Sequence, residues 1–216
     1  MQHNFLEQNI PDELKSLPQW VGSDEDKSPI NIKTGKTEGV DNLMIGIDFP
    51  SALQWSQQTG RRIGFILTPY VGIDIDNCIE KERIHPYVLK ILEKFQTYSE
   101  ISTNGRGIHI ICKGKVDVGR KFLIGSTGVE IYSRGRYFIF TGNKLSIVVS
   151  EIRDCSKELE LLFEDCEKAK RLFDVAKNDD KLNHLYLGNF NGEYMSQSEA
   201  DLALCNKLMF YLKNAQ

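Results

Sequence analysis

Residues 71–76 read Val-Gly-Ile-Asp-Ile-Asp, so beyond the glycine, apolar and acidic side chains alternate one by one. In a β-strand successive side chains point to opposite faces. Ile73 and Ile75 can enter a core only if Asp74 and Asp76 leave together from the other side. A chain with this segment must bury one face of a sheet here and hold two carboxylates side by side on the other. Two such carboxylates repel, and one pKa rises unless a cation lies between them. Oxygen ligands of this kind suit Mg2+ or Mn2+. Alternation on a solvated strand gives the same pattern by chance, so the motif needs company.

Around this strand the first 150 residues alternate between strand and helix signals. Residues 18–22 and 28–32 read as short strands, the second followed by a Lys-Thr-Gly-Lys turn. Ser51 is expected to cap a helix that runs to Gln58 and is ended by Gly60. Residues 63–67 form an apolar strand, joined to 71–76 by the tight Thr68-Pro69-Tyr70 connection. Residues 85–96 show helical spacing at Val88, Leu89, Leu92 and Phe95, with Pro86 in the first turn. Two hairpins follow, one joining 98–102 to 108–112, the other joining 129–133 to 136–141 through Arg134-Gly135. Hairpins beside a βα unit predict a mixed sheet in an α/β (α+β) domain.

Past Ser150 the chain turns to helix formers, with Ile152, Leu159, Leu162, Phe163, Leu172 and Phe173 on one stripe. Residues 177–181 open a charged linker that extends to about 197. Ser198, with Asp201 at the third position, is expected to cap a last helix. That helix runs through Leu212 with Leu202, Cys205, Leu208, Met209 and Leu212 on its apolar face. The expected organisation is an α/β (α+β) domain over 1–150 and a small helical appendage over 151–216.

Net charge is −3, which argues against a protein covered in phosphate contacts. The charge is uneven, however: the first 150 residues are near balance and the remainder is acidic. Basic pairs stand at Lys33/Lys36, Arg61/Arg62, Arg120/Lys121 and Arg134/Arg136, so local patches would have to meet any nucleic acid. The 5 cysteines form no Cys-x-x-Cys pair, which fits reduced thiols better than a zinc site or a disulfide frame. No apolar stretch approaches the roughly 20 residues of a membrane span. The first residues lack the basic and apolar regions of a signal peptide. A cytoplasmic protein is expected.

Two further segments join the paired aspartates. Ser102-Thr-Asn-Gly-Arg-Gly-Ile-His109 places two glycines in a loop between strands, where backbone N–H groups can approach phosphate oxygens closely. Arg106 adds a guanidinium and His109 stands on the emerging strand. A hairpin turn explains Asn104-Gly105 equally well. The second segment runs from Gly128 to Gly142. Glu130 alternates with Val129 and Ile131, so it faces away from the apolar side, as an ordinary solvated Glu would. If this strand adjoins Asp74 and Asp76, three carboxylates converge, as a two-metal site requires. Arg134 and Arg136 flank the turn and can clamp phosphates.

The order and spacing of these segments are more specific than any one of them. Asp-x-Asp on a strand, then Ser-x-x-Gly-x-Gly-x-His, then Glu on a strand before Gly-Arg-Tyr, resembles the archaeo-eukaryotic primase superfamily. Within it the pattern is most similar to the bifunctional primase-polymerases of phages, plasmids and other mobile elements. Gln19-Trp20, Lys27-Ser-Pro-Ile-Asn31 and Ile63-Gly-Phe-Ile-Leu67 resemble that group's N-terminal strands. Ser196-Gln-Ser-Glu-Ala-Asp-Leu-Ala-Leu-Cys205 resembles the start of the helical segment that links such a primase to a helicase.

The resemblance implies an RRM-like catalytic domain that transfers nucleotides with two Mg2+ or Mn2+ ions. Asp74, Asp76 and Glu130 would hold the ions. His109, with Ser102, Thr103, Asn104, Gly105, Arg106 and Gly107 around it, would meet the incoming triphosphate, and Arg136 and Tyr137 would lie beside the nucleotide. Single-stranded DNA template and primer, NTP or dNTP, and a fused or separate replicative helicase are the implied partners; no membrane is. These residues contain no Walker A motif, so no ATP-driven motor is expected within them. Three rivals remain open: a tyrosine nickase, which would want two His on one strand; a glycosyltransferase built on Asp-x-Asp; and a non-catalytic DNA-binding or helicase-docking module with a primase-like fold.

Overall fold

The computed structural model describes residues 5–41, 43–117, 119–124, 127–186, 194–196, 199–200 and 202–207. The chain divides into two compact units, one ending at Glu160 and one beginning at Leu161. The first opens with a 3-10 turn (Glu7–Asn9), helix α1 (Asp12–Lys15) and strands β1 (Trp20–Ser23), β2 (Pro29–Asn31) and β3 (Lys36–Thr37). Helix α2 (Phe49–Thr59) leads to β4 (Arg62–Ile66), β5 (Val71–Ile75) and the small hairpin β6 (Ile79–Glu80) and β7 (Arg83–Ile84). Helix α3 (Pro86–Phe95), β8 (Ser99–Ile101), β9 (Ile108–Cys112), β10 (Arg120–Ile124), β11 (Thr127–Tyr132) and β12 (Tyr137–Ile139) follow. Helices α4 (Ser156–Asn178) and α5 (Asp180–Tyr186) come last.

The class is α+β. Two 5-stranded sheets, ordered β12-β4-β1-β2-β3 and β10-β11-β5-β9-β8, make up the first unit with the β6-β7 hairpin. Every strand ladder described is antiparallel, where a mixed sheet was expected. The reason lies in the βα unit. β5 and β8 run the same way and are joined across α3, but β9 inserts between them and pairs with both, a split βαβ arrangement.

The expected hairpin across Arg134-Gly135 does not form. β11 pairs with β5 and β10, whereas β12 crosses to the other sheet and pairs with β4. The hairpin partner of β11 is β10, a strand whose charged start hides its periodicity. The first hairpin, β8 with β9, is present.

A shared core holds the two sheets of this unit together. Trp20, Phe65 and Phe138 from one sheet cluster with Tyr98, Ile111 and Phe140, all buried. Trp20 has no exposed surface, packs edge-on against Phe49, Phe65 and Phe140 at 4.8, 5.3 and 5.4 Å, and donates its indole N–H to Leu14 O at 3.0 Å. Val71, Ile73 and Ile75 are fully buried, as the alternation in β5 requires. At α2 the cap is Asp48, not Ser51: its carboxylate accepts the Ser51 N–H at 2.9 Å, Pro50 sits in the first turn, and Gly60 ends the helix at φ 69°. Proline needs no N–H there, so the start shifts upstream of the serine.

The second unit departs from expectation at its linker. Residues 177–181 are helical apart from Asp179, whose carboxylate accepts the Leu182 N–H at 2.9 Å and so caps α5. Farther on, residues 202–207 are helical, and Ser196 Oγ accepts the Glu199 N–H at 3.2 Å while Glu199 accepts the Met195 N–H at 2.9 Å. That reciprocal pair resembles a capping box. Leu202 and Cys205, assigned to an apolar face, are exposed. Ser198, Asp201, Leu208, Met209 and Leu212 lie outside the described residues, as do the side chains of Leu172 and Phe173. No described helix is long and apolar enough to cross a membrane.

Candidate active site

Register builds the site. β11 sets Glu130 opposite Asp74, and β9 sets His109 opposite Asp74 on the other side. At the flanks, β10 sets Lys121 opposite Glu130 and β8 sets Glu100 opposite His109. Directly opposed residues point to the same face. Lys121, Glu130, Asp74, His109 and Glu100 therefore form one row across the whole sheet. Asp76 stands two residues along from Asp74, its N–H bonded to Gly128 O at 2.8 Å.

The row is graded in environment. Asp74 is half-buried, and its Oδ1 is a buried oxygen with no hydrogen-bond partner, 3.8 Å from His109 Nε2. Burial holds its pKa above the ordinary carboxylate value. The His109 ring opposes that rise, and the neighbouring Asp76 and Glu130 reinforce it. Glu130 is biased the other way. Burial works to raise its pKa, but hydrogen bonds from Lys121 Nζ and from the Tyr132 hydroxyl (3.0 Å) bring it below the ordinary value. Among the described residues no three His, Cys, Asp or Glu side chains stand as a closed metal cluster. The donor chemistry fits a hard divalent cation at Asp74 and Asp76, where an oxygen is orphaned, while Glu130 already holds an ammonium group.

Glu100 is the residue that sequence reasoning missed. Its carboxylate is fully buried and accepts the Thr141 N–H at 3.0 Å, the Gly142 N–H at 2.8 Å and the Tyr98 hydroxyl at 2.8 Å. His109 Nδ1 lies 3.5 Å from Glu100 Oε1, beyond good hydrogen-bond geometry, and has no other partner. The Phe138 ring covers the imidazole at 4.6 Å between centroids. Gly72 makes room for that ring, since a Cβ there would come within 2.8 Å of it. No local signal marks Glu100, because the two backbone N–H groups that hold its carboxylate are 41 and 42 residues away in sequence.

A cavity of ≈ 180 Å³ opens over Asp74, Asp76, Glu130 and His109. Ser102, Thr103, Asn104, Arg136 and Tyr137 also line it, and so do Lys27, Tyr132 and Phe138, which the motifs did not single out. Gly105, Arg106 and Gly107 do not. Asn104 Oδ1 accepts the Arg106 N–H at 2.8 Å and lies 3.1 Å from Ser102 Oγ, closing the loop as a hairpin turn. Arg106 is exposed, and its carbonyl accepts the Cys78 and Ile79 N–H groups at 2.9 and 3.1 Å. Gly107 is required because a Cβ would lie 2.8 Å from Ser102 Oγ and 3.0 Å from Ile75 O. The Tyr137 hydroxyl donates to Lys27 O at 2.8 Å and lies 3.1 Å from Ser23 Oγ, so it pins the Lys27 turn. Arg136 stacks over the Tyr132 ring at 4.7 Å.

No family model matches the chain. Over 161 residues, 68% of the chain, it is 32% identical to the DNA primase-polymerase of Nitratiruptor phage NrS-1. The match spans 22% of that protein's length, so the chain is related to about a fifth of the curated relative.

Proposed function

We propose that this chain carries the nucleotidyl-transfer site of a DNA primase-polymerase, making primers, extending them, or both, during replication of a phage or other mobile element. One observation carries the reading: antiparallel register sets Glu130 and His109 on either side of Asp74, with Asp76 beside it, in one cavity. The relationship to a phage primase-polymerase supports it.

Asp74 and Asp76, with Glu130, would hold two Mg2+ or Mn2+ ions. When bound, such ions supply charge neutralisation at a triphosphate and lower the pKa of an attacking hydroxyl. The protein's own residues do the rest. Lys121 must release Glu130 for that carboxylate to serve as a ligand. His109 turns Nε2 toward the cavity, within reach of a phosphate oxygen. Glu100 lies behind the imidazole at Nδ1 and limits how the ring can turn. Lys27 and Arg136 bring positive charge to the rim, where phosphoryl transfer depends on placement and electrostatics.

The test is primer extension on a single-stranded DNA template with Mg2+ or Mn2+. Asp74→Ala and Asp76→Ala should each abolish incorporation while melting close to wild type. Full incorporation by either variant sinks the assignment. A second reading, a non-catalytic DNA-binding or helicase-docking module, draws on the Lys121–Glu130 ion pair, which leaves one carboxylate already neutralised. Template binding by wild type without extension would favour it.

A further inference from the structure

A groove of ≈ 940 Å³ adjoins the carboxylate cavity and is distinct from it. The two share Ser102 and Thr103; beyond them Asn104 lines the cavity and Gly105 lines the groove. The 102–105 loop is therefore a common wall. The groove is also lined by the 3-10 turn at Glu7–Asn9 with the residues before it, and by the end of α2 with Arg61 and Arg62 just beyond. Leu6 donates its N–H to Thr141 O at 3.0 Å and Asn9 Nδ2 donates to Gly142 O at 2.9 Å, which anchors that turn.

The chemistry of the lining is specific. Its charged residues are Arg61, Arg62 and Glu7, two guanidinium groups against one carboxylate. Among the described residues neither arginine makes an ion pair. Guanidinium forks match phosphate oxygens, and an arginine left without a carboxylate is available to them. Phe5, Leu53 and Phe140 give an apolar floor, and Gln57 and Asn143 add neutral hydrogen-bonding groups. One cationic wall beside apolar side chains suits a strand whose backbone is charged and whose bases and sugars offer apolar faces. A free nucleotide fits less well. The groove is at the upper end of the roughly 300–1,000 Å³ of small-ligand pockets, and it does not contain the carboxylates.

We propose that this groove binds a single strand of DNA by its phosphodiester backbone and leads it to the Ser102–Thr103 wall. The proposal deepens the nucleotidyl-transfer reading. Joining a strand to a nucleotide needs reacting atoms about 3–3.5 Å apart, so the strand must run up to the cavity in which the nucleotide sits.

The test is binding of a fluorescein-labelled oligothymidylate to the full chain, by anisotropy, over a series of salt concentrations. Arg61→Gln/Arg62→Gln should weaken binding by about tenfold and flatten the salt slope by about 1.4, roughly 0.7 per lost phosphate contact on a single strand. Lys33→Gln/Lys36→Gln removes the same charge elsewhere and should change little. Unchanged affinity and slope in the arginine variant, with its melting intact, overturns the proposal; so does an equal loss in the lysine control, which would mean diffuse attraction. The two readings fail separately. Arginine-dependent binding without extension by wild type leaves the groove and removes the polymerase. Extension with arginine-independent binding does the reverse.

Discussion

Glu100 has no exposed surface yet keeps a carboxylate, which is tolerable only because its two oxygens collect three hydrogen bonds. Glu100→Gln keeps the shape and turns one acceptor into an NH2 that must face a donor: the Thr141 or Gly142 N–H, or the Tyr98 hydroxyl. A destabilisation of about 1–3 kcal/mol is expected, read from urea unfolding. The variant should also lower kcat/KM for the nucleotide by loosening His109. The catalytic part can be separated from the structural part by a double-mutant cycle. In a His109→Ala background the effect of Glu100→Gln on kcat/KM should disappear while its effect on stability remains. An undiminished kinetic effect there would mean that Glu100 does not act through the imidazole. His109→Ala alone should weaken apparent nucleotide affinity and leave oligonucleotide binding intact.

At the scale of elements, caps and close approaches decide where things begin. Asp48 holds the N-terminus of α2, and Asp48→Ala should cost about 1 kcal/mol. The bond also predicts a pH dependence. The Ser51 N–H and hydroxyl hold the Asp48 carboxyl below its ordinary pKa. A depressed folded-state pKa contributes stability above the unfolded value, and that contribution is lost as pH falls through the folded value. The gap in stability between wild type and Asp48→Ala should therefore be full near neutrality and close in acid. A gap independent of pH would show that the carboxylate is not the cap. Both the apolar spacing of α3 and the Asn-Gly turn between β8 and β9 were legible in the sequence, because each is set by neighbours a few residues apart. The destination of β12 was not. Arg134-Gly135 reads as a hairpin turn, and only the pairing of Tyr137, Phe138 and Ile139 with β4 shows that the chain changes sheets there.

Across the first unit, one aromatic cluster holds both sheets. Trp20 is its centre, and Trp20→Ala should cost about 3–5 kcal/mol, the range for deleting a large buried aromatic. Because Phe138 belongs to the same cluster and covers His109, the loss should reach the site as well. Thermal or urea unfolding followed at two probes, one in each sheet, should shift together. Independent shifts would mean that the sheets are not one cooperative unit. The net charge of −3 is also read differently at this scale. Three acids, Asp74, Asp76 and Glu130, gather in a single cavity, and Arg61 and Arg62 lie beside it on a separate groove. A bulk count averages over both.

The sequence by itself determined which way each side chain of β5 would face, because period two in a strand follows from backbone geometry alone. It also marked Asp74, Asp76 and Glu130 as residues leaving the apolar faces of their strands, and His109 as standing on the strand that emerges from the glycine loop. Which of them would stand opposite one another was decided by tertiary structure, since register is a property of two segments and of the core that both must bury. The same pairing recruited Lys121 and Glu100 to the ends of the row. Along the chain Glu100 is inconspicuous and Lys121 is only half of a basic pair; each acquires its part from the strand beside it.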